Sequence, residues 1–395
     1  MNKRVPVFLL ILTALSVSAQ QYLPYRRGDL WGLVERGPGA GIVSPKYTSM
    51  KPLGNGYFNV SNKDSSFIIL DSTGKETINL PYAPVTFTGD GLLQYPDKTN
   101  GDTWYHVSGR KLNFDKQEVK QAEMSHDGRL VYKNHAGKKG YLDVYGNVVI
   151  KAVYDNAYIF FNGYAVVGNK GKIGAIDSSG NIVIPLQYSW VRPLKEDRFI
   201  VYRNDKGALA DKTHHILTAF HYKYIDDFSE GIACVTRNDR RYINTQGKEL
   251  WPKGFPSASG FENDIAIVNN GKNYMLMNTR GEIIFQLPGR YDLKTSFHGI
   301  FFVPRDIKTD KYMVMDRTGK TLFTGMSRLP YDATRSYCVV VKDGYYGTIN
   351  ETGKVIIPLV YEKMSYIREL DAWYVQKDGR PGYVDHLGTQ YWIGE

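Results

Sequence analysis

Short apolar runs alternate with polar turns along the whole chain, and the residues around Gly180 show one unit of this pattern. Apolar residues occupy positions 164–167, 173–176 and 182–184, and polar turn residues occupy 169–171 and 177–180. Runs this short, bounded by Gly, Asn and Asp, are typical of β-strands joined by hairpin turns. The unit is therefore predicted to be a three-stranded meander.

The second turn of this unit recurs as an Asp or Asn followed three residues later by Gly. An Asp at the first position of a β-turn accepts hydrogen bonds from nearby N–H groups, and Gly at the fourth adopts a positive φ. With degenerate copies included, the eleven marker positions are 39, 74, 109, 146, 180, 214, 247, 281, 319, 353 and 388. Their mean spacing of about 35 residues predicts a tandem array of about eleven repeats.

Two further spacings complete the predicted repeat. A Tyr eight residues after the Gly, at positions 154, 188 and 361, is expected to pack in the core. A second Gly follows such a Tyr by nine residues, as from Tyr154 to Gly163, which predicts a short fourth strand or a tight corner between units. Units of this size cannot bury both faces alone, so they must stack on their neighbours.

The predicted fold class is therefore all-β. A propeller-like radial array is favoured, as two rings or one enlarged ring, although eleven units exceed the usual number of blades and 35 residues is short for a blade. An open β-solenoid or superhelix is the alternative. Because no linker or composition break divides residues 20–395, two unrelated halves are excluded.

The repeat resembles the WG-repeat family of bacterial proteins. The literal Trp-Gly pair occurs once, at Trp31-Gly32, and the pair is Tyr346-Gly347 or Ile173-Gly174 elsewhere. The resemblance implies a presumed interaction role and no particular chemistry. The matching positions are 139–143, 146, 149–150 and 154–155, then 174, 176–177, 180, 184–185 and 188, and the second part of the motif at 228–235.

The first nineteen residues have the pattern of a secretory signal peptide. Lys3 and Arg4 precede a mostly apolar stretch that ends in a small residue, so cleavage is expected between Ala19 and Gln20. The apolar stretch is short for a membrane span. The mature protein is thus expected to be exported, either periplasmic or extracellular.

The composition shows a net positive charge and two cysteines. Hydrophobic residues make up 42% of the 395 residues, which favours a folded chain, and the formal charge is +10. A basic surface attracts polyanions, and export makes nucleic acid an improbable partner. Cys234 and Cys338 lie in apolar runs, where buried free thiols are expected, with a disulfide as the alternative.

No catalytic or cofactor motif stands out from the repeat. His214, His215 and His221 form a cluster whose spacing is not a standard zinc pattern. There is no HExxH, GxSxG or phosphate-binding loop. The chain is therefore expected to be non-catalytic, with no cofactor and no metal.

One set of equivalent loops carries an excess of positive charge. The ten loops that precede the Asx-x-x-Gly strands carry 19 Lys and Arg and nine Asp, a net charge of +10. Equivalent loops of a repeat array project from the same side. They predict a basic face that binds anions or a partner, against the simpler explanation of ordinary turn chemistry. Its densest residues are Lys133, Lys138, Lys139, Lys170, Lys172, Arg237, Arg240 and Arg241.

These patterns indicate an exported binding scaffold for an envelope protein or an acidic polysaccharide. A carbohydrate-binding module is the first alternative, and rows of exposed Tyr and Trp would favour it. A hydrolase with a site built from loops is the second. A pocket holding paired carboxylates or a Ser/His pair would favour that reading.

Overall fold

The computed structural model describes residues 21–37, 41–63, 66–81, 83, 85–88, 90–96, 102–293, 296–297, 300–329, 333–334 and 336–393. The predicted signal peptide at residues 1–19 lies outside them and stays a prediction. Within the described residues, 41 strands form eleven sheets. No helix in this part of the chain is long and apolar enough to cross a membrane.

We number the sheets in chain order. Sheet 1 contains β1 (Tyr22–Arg27), β2 (Leu30–Glu35) and β3 (Gly41–Tyr47); sheet 2 contains β4 (Ser49–Gly54), β5 (Tyr57–Ser61), β6 (Phe67–Leu70) and β7 (Glu76–Leu80); sheet 3 contains β8 (Thr86–Phe87), β9 (Leu92–Tyr95) and β10 (Thr103–His106); sheet 4 contains β11 (Gln121–His126), β12 (Arg129–Lys133), β13 (Lys139–Asp143) and β14 (Val148–Tyr154). Sheet 5 contains β15 (Asn156–Phe161), β16 (Tyr164–Asn169), β17 (Lys172–Asp177) and β18 (Ile182–Tyr188); sheet 6 contains β19 (Trp190–Leu194), β20 (Arg198–Arg203) and β21 (Lys206–Asp211); sheet 7 contains β22 (Tyr224–Ile225), β23 (Ile232–Thr236) and β24 (Arg240–Asn244); sheet 8 contains β25 (Ser257–Ala258), β26 (Ile265–Asn269), β27 (Tyr274–Asn278) and β28 (Ile283–Gln286). Sheet 9 contains β29 (Tyr291–Asp292), β30 (Ser296–Phe297), β31 (Phe301–Phe302), β32 (Arg305–Asp306), β33 (Lys311–Met315) and β34 (Thr321–Met326); sheet 10 contains β35 (Tyr337–Lys342), β36 (Tyr345–Asn350) and β37 (Val355–Tyr361); sheet 11 contains β38 (Lys363–Ile367), β39 (Ala372–Lys377) and β40 (Arg380–Asp385); β41 (Trp392–Ile393) joins sheet 1.

Sheet 5 shows the unit in full. Its four strands run in chain order as an antiparallel meander, β15-β16-β17-β18. The three predicted strands are the second, third and fourth strands of this sheet. The spacing from Tyr154 to Gly163 contains β15, the first strand, so the predicted fourth strand is present. Sheets 2 to 11 each have one marker position, and the first marker, Gly39, lies outside the described residues. The predictions of an all-β fold and about eleven repeats are confirmed.

The marker turns have the predicted chemistry. In sheet 5 the Gly180 N–H donates to the carbonyl oxygen of Asp177 (3.0 Å). The Asp177 carboxylate accepts the N–H groups of Ser179 and Asn181, both at 2.9 Å. Burial alone would raise the pKa of Asp177, but the hydrogen bonds, the side-chain one from Asn181 first, outweigh it and lower the pKa. The Asx residue is thus fully used by its own turn.

Apolar side chains join each sheet to the next. Tyr141 and Ile150 of sheet 4 share one core cluster with Phe160 and Ile176 of sheet 5. Equivalent clusters join every later pair of sheets. Fully burying one such side chain contributes about 1.5–3 kcal/mol, so these seams hold the array together.

The Tyr that ends the last strand of sheets 4, 5 and 10 packs in the core, as predicted. Tyr188 and Tyr361 are both fully buried. The Tyr188 hydroxyl lies 2.6 Å from Nε2 of His214 in the next sheet. The Tyr361 hydroxyl accepts a hydrogen bond from Nε2 of Gln390 (3.1 Å). A polar tip on a buried ring therefore links successive units.

The array closes on itself. Strand β41 pairs in parallel with β1 and takes the place that a first strand has in the other four-stranded meanders. The rings of Trp31 in sheet 1 and Tyr383 in sheet 11 make an edge contact with centroids 5.9 Å apart. Since sheet 11 and sheet 1 also share a core cluster, contacts between sheets form a continuous cycle, as in a propeller-like array.

Both cysteines are buried thiols, Cys234 in sheet 7 and Cys338 in sheet 10. Burial raises the pKa of the Cys234 thiol to about 12, so the thiol stays protonated at neutral pH. The two residues act as small apolar core residues, and no disulfide joins them.

Candidate binding surface

In sheets 4 to 8, the predicted basic loops join the second and third strands. In a meander, the loop between the first two strands lies at the opposite end of the sheet. From sheet 4 to sheet 8, three of those opposite loops bond to the corresponding loop of the following sheet, so they share one end of the array. The bonds run from the N–H of Gly163 to Asp127 (3.3 Å), of Gly231 to Glu196 (3.3 Å) and of Asp264 to Glu230 (3.0 Å). The basic loops of these sheets therefore project from the other end.

Carboxylates from other strands neutralise the basic residues of sheet 4. Lys138 Nζ lies 2.5 Å from Asp155 Oδ1, and Lys139 Nζ lies 2.7 Å from Glu123 Oε2. The hydrogen bond from Lys138, followed by one from the Lys170 backbone N–H, lowers the pKa of Asp155. Neither acid belongs to the basic loops, so the net charge of those loops overstates the charge of the surface.

The arginines of sheet 7 are also paired. Glu249 accepts Arg237 at 3.1 Å and Arg241 at 3.0 Å, and Arg240 lies 2.8 Å from Asp226. Burial raises the pKa of Asp226, and the charge of Arg240 opposes that rise. Five of the eight predicted residues are therefore engaged in ion pairs.

Lys133, Lys170 and Lys172 form no ion pair with any other residue that the structure describes. Lys170 and Lys172 are exposed, whereas Lys133 is half-buried. Lys170 has a φ of 49°, so it occupies the left-handed position of its hairpin turn. Anion binding by this face stays a prediction, and it rests on these three lysines more than on the other five residues.

A second surface, along the first strands of sheets 4 to 7, brings aromatic and charged side chains together. The Tyr158 ring of sheet 5 makes an edge contact with the Trp190 ring of sheet 6, with centroids 5.3 Å apart. The Arg192 guanidinium of sheet 6 lies over the Tyr224 ring of sheet 7, 5.0 Å from its centroid. We call Tyr158, Trp190, Arg192 and Tyr224 the first-strand strip.

The strip is exposed although most of its side chains are aromatic. The exposed fractions are 44% for Tyr158, 40% for Trp190 and 44% for Tyr224. Isolated exposed apolar residues are normal, but three aromatic rings on successive sheets form a continuous patch. Such rings offer flat apolar faces, and the guanidinium of Arg192 adds hydrogen-bond donors beside them.

A groove of about 300 Å³ continues the strip onto sheet 4. Tyr158 and Met124 form apolar parts of its wall, and Met124 is 61% exposed. The ion pair of Lys139 and Glu123 and the amide of Asn156 form polar parts. Apolar walls with a few placed polar groups are typical of ligand sites.

A second cavity lies between sheets 10 and 11 and has a volume of about 500 Å³. Ser336, Asp371 and His386 all line it. His386 Nδ1 is 3.8 Å from Asp371 Oδ2, which is longer than a hydrogen bond. The cavity therefore contains a Ser and a His, the residue types that would favour a hydrolase. The hydrolase alternative stays a prediction.

The histidine cluster serves the repeat structure. His214 contacts the Tyr188 hydroxyl, and burial followed by the charge of Arg203 lowers the pKa of His214. The His221 ring makes an edge contact with the Tyr222 ring, with centroids 4.2 Å apart. Among the described residues, no group of His, Cys, Asp and Glu is arranged to hold a metal ion.

Comparison with known families identifies five segments of the chain. The model of the WG containing repeat matches residues 140–172, 173–206, 209–240, 241–274 and 346–380. The first four segments begin in the third strand of a sheet, run through the second strand of the next sheet and end at the first residue of its third strand. The sequence repeat is therefore offset from the sheet, and each repeat of this kind belongs to two sheets.

Solved structures resemble the chain weakly. A crystal structure of a eukaryotic initiation factor is 11% identical, covers 78% of this chain and 96% of its own, and has a TM-score of 0.41. KlHsv2 with loop 6CD replaced by a Gly-Ser linker is 10% identical, covers 66% and 97%, and has a TM-score of 0.31. Apo AztD from Citrobacter koseri is 12% identical, covers 76% and 92%, and has a TM-score of 0.25. No curated protein sequence matches the chain.

Proposed function

The chain belongs to the WG containing repeat family, and from this premise we propose that it is an exported, non-catalytic scaffold that binds an extended glycan along the first-strand strip. The observation that carries the proposal is the exposure of Tyr158, Trp190 and Tyr224 on three successive sheets. A repeat array presents extended surfaces of this kind to polymeric ligands.

A glycan suits the chemistry of the strip. The C–H face of a sugar ring is apolar and covers an aromatic ring, while its hydroxyl groups need donors and acceptors at the edge. Arg192 lies over Tyr224. Its guanidinium is fixed by the carbonyl oxygen of Ile225 and by Asp227 at 3.7 Å, and its five N–H groups leave donors for a ligand. Glu123 and Asn156 supply acceptors in the adjoining groove. Adjacent sheets pack about 10 Å apart, so the strip suits a chain of several sugar units better than a single unit.

An acidic polymer held by the basic loops has less support. Arg237, Arg240 and Arg241 are already paired with carboxylates, as are Lys138 and Lys139. An added polyanion would have to displace those acids. Charge-driven binding also weakens with salt, which distinguishes it from stacking on aromatic rings.

Affinity electrophoresis of the purified protein tests the proposal. Gels containing a neutral β-glucan or an acidic polygalacturonate would be run at about 50 and 500 mM salt, because screening separates the two kinds of contact. We expect the neutral glycan to retard the protein at both salt concentrations. The double variant Trp190→Ala, Tyr224→Ala should bind at least about tenfold more weakly, a loss of about 1.4 kcal/mol.

Tyr345→Ala is the matched control, since Tyr345 is 48% exposed but lies in sheet 10, away from the strip. It should bind like the unchanged protein. Equal binding by the double variant, or no retardation by any neutral glycan, would overturn the proposal. Binding only to polygalacturonate at low salt, with loss in Lys170→Ala, Lys172→Ala, would favour the basic face instead.

A further inference from the structure

The cavity between sheets 10 and 11 is separate from the first-strand strip and has its own chemistry. Its volume of about 500 Å³ lies within the range of small-ligand sites. The wall combines the hydroxyl group of Ser336, the aromatic rings of Tyr337 and Tyr366, the carboxylate of Asp371 and the imidazole of His386. This mixture of ring faces and convergent polar groups is typical of a site that orients one small molecule.

Polar groups of the wall are held in place and keep unused capacity. The Tyr366 hydroxyl donates to Asp371 Oδ1 (2.7 Å), which fixes the carboxylate. The other carboxylate oxygen is 3.8 Å from His386 Nδ1. That nitrogen is buried and has no hydrogen-bond partner among the described residues. A buried nitrogen without a partner is costly, so a ligand that bonds to it gains affinity.

Aromatic rings form the sides of the cavity. The Tyr337 ring is stacked on the His386 ring, with centroids 6.3 Å apart and an angle of 28° between the planes. The Tyr366 ring packs against Trp373, with centroids 5.1 Å apart, and Trp373 is almost fully buried. Packing on both sides fixes these rings before a ligand arrives, which reduces the entropy cost of binding.

The charges around the cavity favour an uncharged ligand. Asp371 is the one carboxylate in the wall among the described residues. The Arg36 guanidinium donates to the backbone carbonyl oxygens of Leu370 and Asp371, the latter at 3.3 Å. Burial raises the pKa of the Tyr366 hydroxyl in the wall, and the positive charge of Arg36 opposes that rise. A cation would meet this positive charge, and an anion would meet the carboxylate.

We propose that this cavity binds a neutral sugar unit, with its hydroxyl groups on Asp371 and His386 and its apolar face on the ring of Tyr337. The proposal does not rest on the first-strand strip. Arg36 belongs to sheet 1 and bonds to the segment that carries Asp371, so the site adjoins the closure of the array. A bound sugar should therefore stabilise the closed array as well as the cavity.

Isothermal titration of the purified protein with glucose, galactose, mannose and N-acetylglucosamine tests this directly. Tetramethylammonium and inorganic phosphate serve as charged probes. We expect one or more of the sugars to bind, to raise the thermal midpoint, and to bind equally well at low and high salt. The variants Asp371→Asn and His386→Ala should each weaken that binding about tenfold or more.

Two further variants serve as a mild cavity change and as a control. Ser336→Ala removes one hydroxyl group from the wall and is the mildest change, so it tests the cavity if the other variants unfold. Trp190→Ala, Tyr224→Ala should leave the sugar titration unchanged, which separates this site from the strip. Stronger binding of tetramethylammonium or phosphate than of any sugar, or a titration that is identical in the cavity variants, would overturn the proposal.

Discussion

At the scale of single residues, the Gly of the third strand has a steric role. A Cβ at Gly174 would lie 2.4 Å from the carbonyl oxygen of Ile184, at the bulge where β18 crosses β17. A Cβ at Gly140 would lie 2.4 Å from the carbonyl oxygen of Ile150, and a Cβ at Gly347 would lie 2.5 Å from that of Ile357. The second residue of the Trp-Gly motif is thus required by a close approach of two strands.

Gly174→Ala should therefore destabilise the protein by about 2 kcal/mol, because backbone atoms of β18 must move to admit the methyl group. Urea unfolding measures the change. Gly260→Ala is the control, since a Cβ there meets nothing within 4 Å, and it should change the unfolding free energy by less than about 0.5 kcal/mol. Equal losses in the two variants would contradict the steric explanation.

Residues whose roles are local were predictable, and residues with distant partners were not. The Asx turns follow from four adjacent residues, so their hydrogen bonds could be inferred from spacing alone. The ion pairs of Lys139 and Arg240 could not, because Glu123 lies on a first strand and Asp226 directly follows one, 16 and 14 residues earlier in the chain. Counting charge by loop therefore gave too basic a surface.

At the scale of elements, the Asx turns make stability depend on pH. The Asp211 carboxylate accepts the N–H groups of Thr213 and His215, both at 2.9 Å. Burial would raise its pKa, but these and the side-chain bonds lower the pKa to about 2. A folded pKa below the unfolded one means that this stability is present above pH 4 and is lost as the pH falls toward 2.

Asp211→Asn should keep the turn and remove this titration, because Asn244, Asn278 and Asn350 form the same turn in other sheets. Between pH 7 and pH 3, the unfolding free energy of the variant should fall less than that of the unchanged protein. The difference between the two losses should be less than about 1 kcal/mol, because the group is partly exposed to solvent. Urea unfolding at the two pH values measures this difference. Asp211→Ala should be less stable than the unchanged protein at both pH values. If Asp211→Asn has the same pH dependence as the unchanged protein, the assignment is wrong.

The strands of the repeat were predictable, whereas the first-strand strip was missed. Trp190 and Tyr224 each come two residues after the buried Tyr of the preceding sheet, while Tyr158 comes four residues after its Tyr. The aromatic residues therefore occupy two positions of the repeat and do not form one column in sequence. The signal was present as aromatic residues on alternate positions of short strands, which point to one face.

At the scale of the whole molecule, closure includes a strand pairing that no repeat pattern indicates. Strand β41 is two residues long and pairs with β1 across almost the whole sequence. Sequence periodicity reports neighbours about 35 residues apart, so a contact of this kind is invisible to it. The sequence favoured a propeller-like array, but the strand pairing that closes it emerged only from the structure.

Removal of residues 391–395 should open the array at sheet 1. Tyr391 is buried, receives the N–H of Gly37 on its hydroxyl (2.9 Å) and accepts the N–H of Arg26 on its carbonyl oxygen (3.3 Å). Amide exchange in β1 should accelerate about tenfold or more, the effect of about 1.4 kcal/mol. Sheet 5 is the internal control, and its exchange should stay unchanged. Uniform acceleration in both sheets would indicate global destabilisation instead.

The parallel pairing of β1 with β41 also sets an order in time. The residues of β1 leave the ribosome before those of β41, which follow about 366 positions later. At about 5–20 residues per second, β1 waits roughly 20–70 s for its partner. During that interval sheet 1 has an unpaired edge, which is the kind of edge that recruits foreign strands. Sheet 1 therefore keeps an open edge until β41 has been made.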